Sequence, residues 1–268
     1  MTHEEPDMSM ALTELQTAVD ENQFRFDYQP KLDCETLGLK GFEALIRWVH
    51  PSYGVIMPNQ FIPVAEELGL IGRITELIVE NTFQWYKSTP GVQGLALSIN
   101  FSAKRLSDAS FADWLLAKCR AAGIRQDAIT LEVSEVAVLQ HRLHALDMFT
   151  GLRSKGFRVA IDDFGIGQSS LKLLAQLPFS EVKIDKSYAI NALLSPEAKT
   201  FIKNTVATSH NIELKVAAEG IEDRETLDFV RQVGCDFVQG YFISHPIPAA
   251  ETADWILNRR QKTRHILV

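Results

Sequence analysis

Short runs of β-branched and aromatic residues alternate along this chain with longer segments in which apolar residues recur every three to four positions. The short runs are typical of buried strands, and the longer spacing is typical of amphipathic helices. The predicted strands cover residues 24–30, 41–48, 95–101, 129–134, 159–161, 182–184, 214–217 and 237–242. The predicted helices cover residues 10–22, 61–68, 74–85, 111–122, 141–152, 169–177, 197–209 and 224–233.

This alternation predicts the fold. Strands separated by helices indicate a parallel sheet with right-handed crossovers, which belongs to the α/β class. Eight strands in roughly 250 residues predict a TIM-like (β/α)8 barrel. The first two strands have no helix of usual length between them, and Gly38 lies there like the turn of a hairpin. We therefore expect an irregular, antiparallel first strand.

Length and composition bound the number of domains. The chain has 268 residues, of which 46% are hydrophobic and 23% are charged, as in an ordinary globular protein. A barrel of this length forms one domain. We predict a flexible N-terminus at 1–9, a single domain at 10–260 and a C-terminal tail at 261–268.

Charge and cysteine content narrow the function class. The net charge is −7, from 27 Lys and Arg against 34 Asp and Glu, which disfavours binding to duplex nucleic acid. The three cysteines form no CxxC pair, so they predict neither a zinc knuckle nor a disulfide framework. With no signal peptide in the first ten residues and no run of 18 apolar residues, we expect a cytoplasmic protein without a membrane segment.

Polar residues stand at the carboxyl ends of seven predicted strands, where a barrel carries its active site. They are Glu43, Asn100, Glu132 with Glu135, Asp162 with Asp163, Lys183 with Asp185, Glu219 with Glu222, and Gln239. A single acid at a strand end is most often a helix cap or a solvated loop residue. Glu43 and Glu132, however, stand inside apolar stretches, where an unpaired carboxylate is costly to bury.

Several carboxylates at one opening repel each other. Either their pKa values rise or cations neutralise them, and neutralisation is the simpler explanation. A set of oxygen ligands suits Mg²⁺ or Mn²⁺ rather than Zn²⁺. The adjacent pair Asp162–Asp163 is the best candidate for holding two ions, which together can clamp the attacking and leaving oxygens of a phosphoryl displacement.

A series of ordered motifs carries a family resemblance. Glu43-Ala44-Leu45 stands in GFEALIRW, after Tyr28-Gln29-Pro30 and before FIPVAEELGLI. The others are SINFSAKRL, LEVSE, DDFGIGQSSL, VKIDKS, AAEGIE and DFVQGYFISHPIP. From residue 10 to residue 257 the chain resembles the EAL-domain family of cyclic-di-GMP phosphodiesterases.

The resemblance implies a metal-dependent hydrolysis of cyclic-di-GMP to linear 5′-pGpG by two Mg²⁺ or Mn²⁺ ions. One ion would be held by Glu43, Asn100, Glu132 and Asp162, and the second by Asp162, Asp163 and Glu219. Lys183 would orient the attacking water, and either Glu219 or Lys183 would assist its deprotonation. Glu135 would brace the loop after the aspartates, and Glu222 would support the site. The dinucleotide would contact Gln29, Leu45, Arg47, Asp185 and Gln239. A homodimer is also implied.

Four positions depart from the family's usual residues, and none is an implied metal ligand. They are Val49, Ser134, Ile166 and Gln168. Two other functions stay open on the same fold, a catalytically silent cyclic-di-GMP receptor and a protein-interaction scaffold. Retention of Glu43 and both aspartates favours the enzyme.

Overall fold

Eight strands close into a barrel in the part of the chain that the computed structural model describes, residues 8–167 and 175–266, with side chains described for 13–167 and 175–259. The strands are β1 Phe24–Asp33, β2 Leu39–His50, β3 Gly54–Ile56, β4 Ala96–Asn100, β5 Ile129–Ser134, β6 Arg158–Phe164, β7 Glu181–Ile184, β8 Lys215–Ala218, β9 Phe237–Val238 and β10 Ile247–Pro248. The closed ring runs β1-β2-β4-β5-β6-β7-β8-β9, and β3 and β10 pair outside it with β2 and β1.

The direction of the strands confirms the predicted fold class. Each neighbouring pair from β2 and β4 round to β8 and β9 is parallel, whereas β1 runs antiparallel to both β2 and β9. A short turn joins β1 to β2, and the N–H of Asp33 donates to the carbonyl of Gly38 at 2.8 Å within it. The irregular first strand is therefore confirmed, with Gly38 in the hairpin connection.

Helices cover the outside of the ring. They are α1 Met8–Asp20, α2 Pro58–Glu67, α3 Ile71–Ser88, α4 Phe111–Ala122, α5 Glu135–Gln140, α6 Arg142–Ser154, α7 Lys186–Ile190, α8 Pro196–Asn211, α9 Arg224–Val233 and α10 Thr252–Ile266. Gly123 and Gly234 end α4 and α9 with φ of 68° and 94°, a left-handed conformation that glycine adopts without strain.

Four expectations differ from the structure or fall outside it. The predicted strand 237–242 is only two residues long, because the chain turns inward after Val238 and brings Gln239 to the barrel mouth. Of the predicted helix 169–177, residues 169–174 lie outside the described residues and 175–177 form a turn. Residues 1–7 of the predicted flexible N-terminus also lie outside them. The helix α10 runs past the boundary predicted at residue 260.

Strand alternation separates an apolar layer from a polar interior. On β2, Phe42, Ala44, Ile46 and Trp48 belong to the apolar core under the helices. Tyr28 of β1 stacks on Trp85 of α3 in this layer, with ring centroids 3.7 Å apart. Because neighbouring residues of a strand face opposite sides, Glu43 and Leu45 are turned away from this layer.

None of the helices within the described ranges combines the length and the apolar composition that crossing a bilayer requires.

Candidate active site

The ammonium group of Lys183 lies at the centre of the site. Its Nζ is 2.6 Å from Glu132 Oε2, 2.7 Å from Glu219 Oε1 and 3.0 Å from Asp162 Oδ1. Glu43 Oε2 follows at 3.4 Å. The Lys183 side chain is 1% exposed, so these interactions take place away from bulk solvent. The barrel therefore brings together four carboxylates from four strand ends around one cation.

Amide side chains hold Glu43 in place. Asn100 Nδ2 donates to Glu43 Oε1 at 2.8 Å, and Gln239 Nε2 donates to Glu43 Oε2 at 2.8 Å. Gln239 Nε2 also reaches Gln29 Oε1 at 3.0 Å. The strand register explains why these side chains lie together. Gln29 of β1 is paired directly with Glu43 of β2, and Asn100 of β4 is paired directly with Glu132 of β5. Paired residues point to the same face of a sheet.

The two adjacent aspartates reach the same region through an irregular backbone. On a regular strand, neighbouring side chains point to opposite faces. Between Ile161 and Phe164, however, the pairing of β6 with β7 shifts register, and Asp163 adopts a φ of 53°. As a result, carboxylate oxygens of Asp162, Asp163 and Glu219 lie within 4.8 Å of one another.

Glu135 braces the turn after the aspartates, as the sequence predicts. Its Oε2 accepts the N–H of Gly165 at 2.8 Å and the N–H of Gly167 at 2.9 Å. The residue is 1% exposed. Ile166, between the two glycines, is exposed, and Gln168 lies outside the described residues.

Burial and charge set the protonation of the central groups. Burial would lower the pKa of Lys183, but the surrounding carboxylates, Asp162 and Glu132 foremost, outweigh it and raise the pKa well above its usual value. Burial likewise opposes ionisation of Glu43, yet Lys183 and the amide of Asn100 outweigh it, and the pKa of Glu43 is lowered. The centre thus holds a stable ammonium–carboxylate pair.

Burial and neighbouring negative charge raise the pKa values of the remaining acids. Burial raises the pKa of Glu132 to about 8, against the opposing charge of Lys183. Burial and the neighbouring Asp162 raise the pKa of Asp163 to about 6. Burial also raises the pKa of Glu219 well above its usual value. A single ammonium group therefore leaves carboxylate charge unbalanced in this cluster.

This arrangement fits divalent cations. Among the described residues, Glu132 Oε1 is buried and has no hydrogen-bond partner, although its other oxygen contacts Lys183. A buried oxygen without a partner is unfavourable unless a ligand satisfies it. The donor set consists of oxygens, which is the set that Mg²⁺ and Mn²⁺ prefer.

A cavity of about 300 Å³ opens above this cluster. Its lining includes Gln29, Glu43, Leu45, Asp162, Lys183, Glu219, Glu222 and Gln239, all residues that the sequence predicts for the site. Lys186, Ile190 and Tyr241 also line it, and these three were not predicted from the sequence. The signal for Lys186 was its position next to Asp185, just beyond a predicted strand end.

Two residues predicted to contact the dinucleotide have protein partners in this structure. Arg47 Nε lies 3.2 Å from Asp27 Oδ2, and Arg47 Nη1 donates to the carbonyl of Ile46. Asp185 caps α7, where its Oδ1 accepts the N–H of Ser187 at 2.9 Å. Both side chains are buried. Neither is among the cavity-lining residues named above.

A second buried charge pair lies one layer below the site. Lys31 Nζ contacts Glu181 Oε1, and the Lys31 ammonium also lies over the Phe237 ring. This pair was not predicted from the sequence. The strand spacing could have indicated it, because residues two apart on a strand share a face. Lys31 lies two residues after Gln29 on β1, and Glu181 lies two residues before Lys183 on β7.

Comparison with known proteins identifies related sequences. A model of the EAL domain matches residues 12–246. The oxygen sensor protein DosP of Escherichia coli is 33% identical over 90% of this chain and 30% of its own length. The cyclic di-GMP phosphodiesterase NbdA of Pseudomonas aeruginosa is 32% identical over 91% of this chain and 31% of its own length. The chain thus spans about a third of the length of these relatives.

Solved structures share the architecture. The PaMucR phosphodiesterase in complex with c-di-GMP superposes with a TM-score of 0.85 at 31% identity, over 91% of this chain and 99% of that one. The EAL enzyme Bd1971, bound to cAMP and cyclic-di-GMP, gives a TM-score of 0.88 at 27% identity, over 93% of this chain and 69% of that one.

Proposed function

The chain belongs to the EAL-domain family, and on that premise we propose that it hydrolyses cyclic-di-GMP to linear 5′-pGpG with the help of two Mg²⁺ or Mn²⁺ ions. One observation carries the proposal. Four carboxylates and Lys183 meet at the floor of a cavity, and a buried oxygen of one of them, Glu132, lacks a partner among the described residues. A receptor that only binds the dinucleotide has no need of such a costly cluster.

The relatives support this choice of substrate. NbdA is named a cyclic di-GMP phosphodiesterase, and PaMucR was solved as a phosphodiesterase with c-di-GMP bound. The acidic floor alone would repel a dinucleotide that carries two phosphates. Cations at the floor and the ammonium group of Lys186 at the cavity wall would offset that repulsion.

The ligand sets are those that the family resemblance implies. One ion would bind Glu43, Asn100, Glu132 and Asp162, and the second would bind Asp162, Asp163 and Glu219. When bound, such ions supply Lewis acidity and positive charge to the phosphodiester. The unpartnered Oε1 of Glu132 offers a ligand atom for the first ion. The short separations among Asp162, Asp163 and Glu219 supply the oxygens for the second.

The chain's own residues would orient the attacking water. The three N–H donors of Lys183 face Glu132, Glu219 and Asp162, and ions bound to these carboxylates would free a donor to hold a water by its oxygen. Glu219 lies 2.7 Å from Lys183 and also lines the cavity, so its carboxylate can accept a proton from that water. General-base assistance requires this reach of about 3 Å.

Side chains above the floor would bind the rest of the substrate. Gln29, Leu45 and Gln239 line the cavity beside Glu43. Arg47 lies two residues beyond Leu45 on the same face of β2, and Asp27 fixes its guanidinium. We propose that Asp27 presents Arg47 to a phosphate, where a planar fork of donors fits. Homodimer formation and a cytoplasmic location stay predictions.

A direct assay tests the proposal. The purified protein is incubated with cyclic-di-GMP and either Mg²⁺ or Mn²⁺, and the products are separated by chromatography. We expect pGpG with either ion and none with EDTA. Glu43→Ala should abolish turnover, whereas Glu197→Ala, an exposed acid at the start of α8, should not change it. Tight binding without product would indicate a receptor, and neither binding nor product would indicate a scaffold.

A further inference from the structure

Tyr188 contacts the turn that follows the two aspartates. Its hydroxyl donates a hydrogen bond to the carbonyl of Gly165 at 2.9 Å. Its ring stacks on Phe201 of α8 with centroids 3.9 Å apart and planes 16° from parallel. Phe201 in turn stacks on Phe164, the residue before Gly165. The helices α7 and α8 therefore hold this turn from one side.

The turn matters because Asp163 has an unfavourable backbone. A φ of 53° is costly for a residue with a side chain, and it persists only where the surroundings impose it. That conformation, together with the register shift in β6, lets Asp163 join Asp162 and Glu219 instead of pointing to the opposite face. Groups that fix the following residues therefore control where the Asp163 carboxylate lies.

Both polar backbone groups of Gly165 are hydrogen-bonded to side chains. Its N–H donates to Glu135 Oε2 at 2.8 Å, and its carbonyl accepts from Tyr188. Close packing limits the same residue, because a Cβ at Gly165 would overlap the Tyr188 ring and lie 2.6 Å from the Phe201 ring. Glu135 and Tyr188 thus pin the turn from two elements, α5 and α7.

We propose that Tyr188 is a positioning residue that, through Gly165, sets the Asp163 carboxylate for the second divalent cation. This inference rests on the proposed function. The ring and the hydroxyl have separable contributions. The ring packs against Phe201 and so supports the fold, whereas the hydroxyl, among the described residues, donates to the carbonyl of Gly165. Removal of the hydroxyl alone therefore tests the positioning.

Tyr188→Phe is the test variant, since it keeps the ring and deletes the hydroxyl. Tyr86→Phe is the matched control. The Tyr86 hydroxyl also binds a backbone group, accepting the N–H of Gly94 at 2.6 Å, but it lies on α3 outside the site. Binding of Mn²⁺ without substrate is measured by electron paramagnetic resonance and calorimetry. The kcat, the KM for cyclic-di-GMP and the melting temperature are measured on the same preparations.

We expect Tyr188→Phe to weaken Mn²⁺ binding at the second site and to lower kcat, each by roughly three- to tenfold, the range for one lost hydrogen bond. The KM at saturating Mn²⁺ should stay unchanged, because Tyr188 contacts the turn and is not among the described residues that line the cavity. Tyr86→Phe should match the wild type in Mn²⁺ affinity and kcat. Tyr188→Leu, which also removes the ring contact with Phe201, should weaken Mn²⁺ binding further.

Distinct results overturn the inference. The inference is wrong if Tyr188→Phe keeps the Mn²⁺ affinity and kcat of the wild type. It is also wrong if the variant has a lower melting temperature with unchanged Mn²⁺ affinity, because the hydroxyl would then serve only the stability of the fold. A raised KM at unchanged Mn²⁺ affinity would assign Tyr188 to substrate binding instead. If the wild type itself neither binds Mn²⁺ nor forms pGpG, the proposed function fails and the inference fails with it.

Discussion

Lys183 and Glu132 meet across the barrel interior, with Lys183 Nζ 2.6 Å from Glu132 Oε2, while Glu132 Oε1 has no partner among the described residues. One oxygen of Glu132 is therefore in contact with the buried ammonium group, and the other is available to a ligand. Replacing Glu132 should therefore mainly affect metal binding, whereas replacing Lys183 should mainly affect the free energy of unfolding.

Glu132→Gln should abolish binding of the first ion without unfolding the protein. Burial favours the uncharged form of Glu132, and glutamine resembles that form in shape. We expect the free energy of unfolding without metal to change by no more than about 1 kcal/mol. The loss of kcat should exceed the 10- to 100-fold that is typical when a residue supporting a metal ligand is removed. Mn²⁺ titration, urea denaturation and pGpG formation measure the three quantities.

Glu80→Gln is the control for this variant, because Glu80 forms a half-buried ion pair with Lys118 between α3 and α4, away from the site. It should retain metal binding and turnover. Wild-type Mn²⁺ affinity in Glu132→Gln would refute its assignment as a ligand.

Lys183→Met should destabilise the metal-free protein. The substitution leaves four carboxylates around a site that has lost its cation. Removing one partner of a buried charge group costs about 3–5 kcal/mol. Saturating Mn²⁺ should restore part of that loss, because binding to the folded state stabilises it by mass action. Urea denaturation with EDTA and with Mn²⁺ measures both effects.

Lys118→Met serves as the control, since the Lys118–Glu80 pair is only half-buried and should contribute less than about 1 kcal/mol. If Lys183→Met unfolds with the same free energy as the wild type in EDTA, the buried ammonium is not needed to balance the acids.

Gly165→Ala should displace the turn after the aspartates. Gly165 has a φ of 112°, and a Cβ there would collide with two aromatic rings. Backbone strain and overpacking together predict a loss of about 2–5 kcal/mol in the free energy of unfolding. Because the turn positions Asp163, Mn²⁺ affinity should fall as well. Calorimetric titration and urea denaturation provide the measurements.

Gly123→Ala is matched to it, because Gly123 also has a positive φ, 68°, but a Cβ at this position would meet only open space. It should lose only about 1 kcal/mol, the cost of a left-handed alanine. If the two variants lose the same free energy of unfolding, the Tyr188 and Phe201 rings leave room for a Cβ at residue 165.

Asp236 should make stability sensitive to acid. Burial would raise its pKa, but hydrogen bonds from Lys215 at 2.7 Å and from the Val216 N–H at 2.9 Å outweigh it, so the pKa is lowered. A lowered folded-state pKa contributes stability above the unfolded pKa of about 3.9, and this contribution disappears as pH falls through the folded value.

Asp236→Asn should therefore be less stable than the wild type at pH 7, and the two should converge below about pH 4. Urea denaturation across pH measures the difference. Asp228→Asn is the control, because Asp228 forms an exposed ion pair with Arg224. Its free energy of unfolding should differ little from that of the wild type at every pH. A gap between wild type and Asp236→Asn that stays constant down to about pH 2 would contradict the assignment.

The order of motifs along the chain was enough to predict the barrel and most of its mouth. Period-two spacing and strand-end acids are local features, and closure of the ring brings every parallel strand end to one side. Glu43, Glu132, Lys183 and Glu219 could therefore be predicted as neighbours before any distance was known. The antiparallel first strand was equally readable, because a short turn at Gly38 leaves no room for a crossover helix.

Only the tertiary structure decided the contacts that depend on irregular backbone and on distant elements. No periodic pattern predicts the left-handed φ of Asp163 or the hydrogen bond from the Tyr188 hydroxyl to the Gly165 carbonyl. The strand spacing of two places Lys31 and Glu181 on the inner face, but it does not show that they pair. Strand alternation states which face a side chain takes, but not which partner it meets across the barrel. Those partners follow from the ring's register and packing, which are properties of the whole fold.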